Sequence, residues 1–147
     1  MTKSIDLYII SDPSLLSMMR AALSQICESA GFCCIESNKI VLAVDEACTN
    51  VIRHAYKNQK DQPIIITCNI HSDKLEIIIV DYGEPADAKK IKPRKLDELR
   101  PGGLGVYLMT SVMDEVKFYN GTENGNRLIM TKNLPKEEKI SESGNQY

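Results

Sequence analysis

Hydrophobic and polar positions follow two periods along this chain, and the switches between them mark the elements. Lys3 to Ile10 alternates with a period of two, Ile5, Leu7 and Ile9 standing between polar neighbours, and predicts a first strand. The period then lengthens. Leu15, Leu16, Met19, Leu23, Ile26 and Cys27 share one helical face, with Ser11 or Asp12 as cap, Pro13 in the first turn and Gly31 as the stop. A second helix is expected from about Glu36 to Lys57, its inward stripe made by Val41, Val44, Ala47, Cys48, Val51, Ile52 and Ala55. Pro63 to Ile70 and Leu75 to Asp81 are rich in β-branched residues and read as a hairpin closed by His71 to Lys74. Residues Glu84 to Arg100 lose the pattern and carry Lys89, Lys90, Lys92, Arg94 and Lys95, which predicts a long, solvated, lid-like loop. Leu104, Leu108, Met109 and Val112 mark a helix reaching about Met113. Glu115 to Tyr119 and Arg127 to Lys132 form a last strand pair around Asn120–Asn126, and the polar stretch from Pro135 to Tyr147 reads as a disordered tail. Strands and helices are partly segregated. The expected fold is therefore α+β, a two-layer sandwich in which a mixed, mainly antiparallel sheet is covered on one face by helices.

Three polar features interrupt this apolar frame. Glu46, Asn50 and His54 follow at four-residue steps and line a second face of the long helix. An amide oxygen there suits a hard cation such as Mg²⁺, and a carboxylate one turn away can orient or deprotonate a nucleophile. Asp81 ends a buried strand and runs into a turn containing Gly83 and Pro85. Gly102, Gly103 and Gly105 open the next helix, and a glycine-rich turn at a helix N-terminus offers bare backbone N–H groups to phosphate.

In this order and spacing, DEACTNVIRHAY, VDYGEP and GGLGVYLM…MDEV resemble the asparagine box and the two glycine boxes of the histidine-kinase-like ATPases, the Bergerat fold. The wording is similar to that of one branch, the small serine/threonine kinases that act as anti-sigma factors in bacteria. SDPSLLSMMRAAL resembles that branch's first helix, and the resemblance covers roughly residues 5 to 133. It implies ATP and Mg²⁺ as cofactors, with Asn50 on the metal and Glu46 as the catalytic base. It implies that Asp81 reads the adenine amine and Gly83 lets the base approach the backbone, while Gly102, Gly103, Leu104 and Gly105 wrap the phosphates. His54 and Arg100 are further candidates near the phosphates, and Arg20 matches an arginine that the family turns toward protein partners. No phosphoacceptor-histidine helix is present, so the acceptor would be another molecule. The implied partners are an RNA polymerase sigma factor and a small anti-sigma-factor antagonist phosphorylated on serine, with a homodimer as the assembly. A nucleotide-gated binding module that transfers no phosphate is the competing reading, and an intact Glu46 favours the kinase. One position departs from the family: where Gly-Thr is common after the last turn, this chain has Gly125-Asn126-Arg127, with Asn126 as a source of a hydrogen bond in place of the threonine and Thr131 as a hydroxyl on the same strand.

Composition narrows the class without changing it. At 147 residues, residues 1–134 suffice for one domain with its own core, followed by the tail 135–147. A net charge of −2 gives no basis for bulk nucleic-acid binding. No stretch approaches the ~18 apolar residues of a membrane span, and MTKSIDLYII lacks the features of a signal peptide. The expected location is the cytoplasm. The five cysteines, Cys27, Cys33, Cys34, Cys48 and Cys68, contain no C-x-x-C pair and read as thiols in a reducing compartment.

Overall fold

The computed structural model describes residues 1–86 and 104–136. Strand β1 (Lys3–Ile10) leads through a short 3₁₀ turn, Pro13–Leu15, into helix α1 (Leu16–Ser29). Asp12 caps that turn by accepting from the Ser14 N–H at 3.0 Å. Helix α2 (Cys34–Asn50) runs directly into a π-helical turn, Val51–Ala55. Strands β2 (Pro63–Ile70) and β3 (Lys74–Asp81) form the expected hairpin. Helix α3 (Leu104–Val112) precedes β4 (Glu115–Thr122) and β5 (Gly125–Asn133), a pair longer than its apolar core predicts and irregular between Tyr119 and Thr122.

The five strands lie in the order β1-β2-β3-β5-β4. The expectation of a mixed sheet is corrected here, because every neighbouring pair is antiparallel. The reason is topological. Helices α1 and α2 run in opposite directions and return the chain to the end where β1 finished, so Pro63 pairs with Ile10 and β2 must run back. Strands β3 and β4, joined through α3, do run parallel, but β5 folds in between them and pairs with both.

Alternate residues of β2 and β3 enter the core: Ile64, Ile66 and Cys68 from one, Leu75, Ile77 and Ile79 from the other. Helix α1 meets them with Met19, Leu23 and Cys27, and α2 with Ile40, Val44, Ala47 and Cys48. Burial raises the thiols of Cys27 and Cys68 to about 12, and that of Cys48 upward as well, so the three behave as small apolar groups. Cys33 and Cys34 lie exposed at the start of α2. No helix among the described residues is long and apolar enough to cross a membrane.

The long second helix is a finding in itself. Val44, Cys48, Ile52 and Tyr56 are all buried and fall at steps of four. In a regular α-helix each such step drifts about 40° around the axis. The wider π turn takes up that drift, so Ile52 and Tyr56 still reach the core. π turns of this kind are common where a helix borders a functional site.

Candidate nucleotide site

The C-terminal end of α2, the start of α3 and the last residues of β3 converge at one end of the sandwich. Glu46 and Asn50, one turn apart on α2, are half-buried there. Gly105, in the first turn of α3, closes on both. A Cβ at Gly105 would stand 3.1 Å from Glu46 Oε2 and 3.2 Å from Asn50 Nδ2. Any larger residue would press on that pair, so the glycine keeps the two side chains accessible beside the helix start. Neither side chain spends its polar atoms on another described residue. A carboxylate and a carboxamide held side by side at a helix N-terminus form a hard-oxygen donor set suited to Mg²⁺, which uses one or two protein ligands and completes its shell with water and phosphate oxygens.

The end of β3 is built differently. Asp81 is only 6% exposed, and its Oδ1 accepts from the Gly83 N–H and from Asn126 Nδ2, each at 2.9 Å. The second hydrogen of Asn126 Nδ2 goes to the Gly83 carbonyl at 3.0 Å, while Asn126 Oδ1 accepts from the Gly121 N–H at 2.9 Å. Asn126 thus donates two hydrogen bonds here and accepts a third. Gly83 is required for a reason the sequence does not display. Its missing side chain makes room for the π turn, since a Cβ would lie 2.5 Å from the Ala55 carbonyl oxygen. That same oxygen accepts from the Glu84 N–H at 2.9 Å. Gly125, at φ +82°, likewise has no room for a Cβ, which would fall 2.5 Å from the Asp81 carbonyl oxygen.

Tyr56 completes the frame. Its ring is buried, and its hydroxyl donates to the Pro63 carbonyl at 2.5 Å and accepts from the Tyr82 N–H at 2.8 Å. Burial holds that hydroxyl above the usual tyrosine range, so it stays protonated and keeps both bonds. One side chain therefore ties the end of the π turn to the start of β2 and the end of β3. Outside the pocket, Lys57 pairs with Glu84 at 2.6 Å, and each holds the other in its charged form.

The structure brings together Glu46, Asn50 and Gly105 on one side and Asp81, Gly83 and Asn126 on the other. His54 follows in the π turn and is exposed. Thr131 is buried further along β5, paired in register with Glu76 and Glu115 and away from Asp81. Arg20 lies on α1 and forms a 3.0 Å ion pair with Asp45, the residue before Glu46, while keeping 43% of its side chain exposed. Arg100, Gly102 and Gly103, the basic stretch from Lys89 to Lys95 and most of the tail lie outside the described residues; of Leu104 the backbone alone is described, as the first residue of α3. Sequence reasoning missed Tyr56 as a polar tie and the π turn behind Gly83. The four-residue spacing of buried positions was the available signal for the latter.

The family model of the histidine kinase-like ATPase domain matches residues 9–132. The serine-protein kinase RsbW of Bacillus subtilis strain 168 is 34% identical over 138 residues, covering 88% of this chain and 85% of its own. The protein of the same name from Listeria innocua serovar 6a is 35% identical over 140 residues, covering 90% and 88%. That of Bacillus licheniformis is 35% identical over 133 residues, covering 85% and 82%.

Proposed function

The chain belongs to the histidine kinase-like ATPase family and is a protein-serine kinase, and from that premise we propose that it acts as an anti-sigma factor working by partner switching. In this reading it binds an RNA polymerase sigma factor, and it phosphorylates a serine on a small antagonist protein so that the antagonist no longer competes. The observation that carries the reading is the pairing of two unlike half-sites. Asp81 is an acceptor already bonded to Gly83 and Asn126, and Glu46 and Asn50, which bond to no other described residue, flank the glycine at the start of α3.

The roles follow from chemistry. Asp81 accepts from the exocyclic amine of adenine through the carboxylate oxygen left free by Gly83 and Asn126. Asn50 would hold Mg²⁺ through its amide oxygen, and the metal, when bound, neutralises charge on the phosphates. Gly102, Gly103, Leu104 and Gly105 would supply backbone donors to those phosphates, and Arg100 and His54 are the side chains assigned to them. Glu46 takes the proton from the incoming serine hydroxyl as the serine oxygen attacks the terminal phosphorus and the bond from that phosphorus to the bridging oxygen breaks, with ADP leaving. Arg20 belongs to the partner-facing surface.

A homodimer is part of the same proposal. One cross-strand row on the uncovered face of the sheet runs Tyr8, Ile65, Val80, Arg127, Tyr119. Its two end tyrosines are 68% and 47% exposed, as large apolar groups awaiting a partner are. Light scattering of the wild type against Tyr8→Asp tests this surface; a monomeric wild type removes the dimer from the reading. The kinase reading is tested by titrating Mg-ATP into Asn50→Ala. Abolished binding in a protein that melts normally is the expected result, and unchanged affinity would remove Asn50 from the metal site.

A further inference from the structure

We infer that Asn126 is a positioning residue for base selection: it locks Asp81 so that one carboxylate oxygen accepts from the 6-amino group of adenine and rejects a 6-oxo purine. The inference rests on the adenine site proposed above and concerns what sets its selectivity.

Asn126 is 6% exposed, so its amide must find partners within the protein. It finds three. Nδ2 donates to Asp81 Oδ1 at 2.9 Å and to the Gly83 carbonyl at 3.0 Å, and Oδ1 accepts from the Gly121 N–H at 2.9 Å. These partners fix the orientation of the amide. Turned by 180°, its oxygen would face a carboxylate oxygen and a carbonyl, and its NH₂ would face an N–H. The Gly83 N–H adds a second donor to Asp81 Oδ1. With two donors on Oδ1, rotating the carboxylate breaks both bonds. The other carboxylate oxygen, which no described residue engages, is thereby held as an acceptor in one direction.

An acceptor of fixed direction discriminates between purines. It pairs with the N6 amine of adenine and meets the O6 carbonyl of hypoxanthine as a second acceptor. Threonine at this position has one donor and could not serve Asp81 and Gly83 together. Leucine has none, so Asp81 would keep the Gly83 N–H alone and its free oxygen would lose its fixed direction toward the amine.

The test is calorimetric titration of the full chain with Mg-ATP and Mg-ITP, for the wild type, Asn126→Thr and Asn126→Leu, with thermal melts alongside. The wild type should favour ATP by roughly a hundredfold or more. Asn126→Leu should reduce that ratio by about tenfold or more, the worth of a hydrogen bond to a charged group. Asn126→Thr should recover part of the loss and remain roughly two- to tenfold below the wild type. If both affinities fall together and the ratio stays constant, the amide only holds the β4–β5 hairpin and the inference is wrong. Should Asn126→Leu fail to fold, an equal ratio in Asn126→Thr and the wild type overturns it as well. Failure of the wild type to bind either nucleotide overturns the adenine site itself, a result distinct from an unaltered ratio.

Discussion

The two halves of the site differ in how their polar groups are held. Around Asp81, bonds among Gly83, Asn126, Gly121, Tyr56 and Tyr82 are made before any ligand arrives and leave the second Asp81 oxygen without a described partner. Glu46 and Asn50 are half-buried, and no described residue takes up their polar atoms. The first half resembles a mould and the second a socket. A base is recognised by fixed direction, which requires preorganisation. In the proposed reaction, phosphates, metal and an incoming hydroxyl change partners, which suits side chains that no described residue engages beforehand.

The contrast can be broken at either end. The largest effect is expected at the socket: Glu46→Gln should lower phosphoryl transfer by roughly 10²–10⁴-fold, the usual worth of a general base, while Mg-ATP affinity is retained. Single-turnover transfer alongside calorimetry checks this, and a drop in affinity without a drop in rate would reverse the assignment. Gly83→Ala attacks the mould. Its Cβ would sit 2.5 Å from the Ala55 carbonyl oxygen, so the variant should lose at least about 2 kcal/mol of stability and bind ATP poorly. Chemical denaturation measures the first effect and titration the second. Tyr56→Phe removes a buried hydroxyl that joins Pro63 and Tyr82, and should cost about 1–3 kcal/mol in the same denaturation experiment. The smallest change belongs to the exposed Arg20–Asp45 pair. Arg20→Ala should shift stability by less than about 1 kcal/mol, so any strong loss of partner binding in a pull-down would report surface contact rather than unfolding.

The difference between the halves also decides what the sequence makes visible. Helices and strands were legible because local periodicity encodes them: the β2–β3 hairpin and the inward face of α1 appear where the pattern puts them. Glu46 and Asn50 were legible too, because four-residue spacing on one helix places them together. The insertion of β5 between β3 and β4 is a pairing between distant segments, and no local pattern carries it. The same holds for the mould. Asn126 meets Asp81 across 45 positions of sequence, and Gly83 fits the π turn only once both are folded. Asn126 announced itself as a departure from a familiar wording, and its three bonds came from tertiary structure.

The account stands or falls on phosphoryl transfer. Labelled ATP and Mg²⁺ should be added to this protein with a lysate of its source cells, in parallel with Glu46→Gln, followed by phosphoamino-acid analysis. The account predicts a small protein labelled on serine by the wild type and unlabelled by the variant, with equal ATP binding by the two. Equal labelling by the variant, or no transfer from a wild type that binds Mg-ATP, would contradict it and leave a nucleotide-gated binding module in its place.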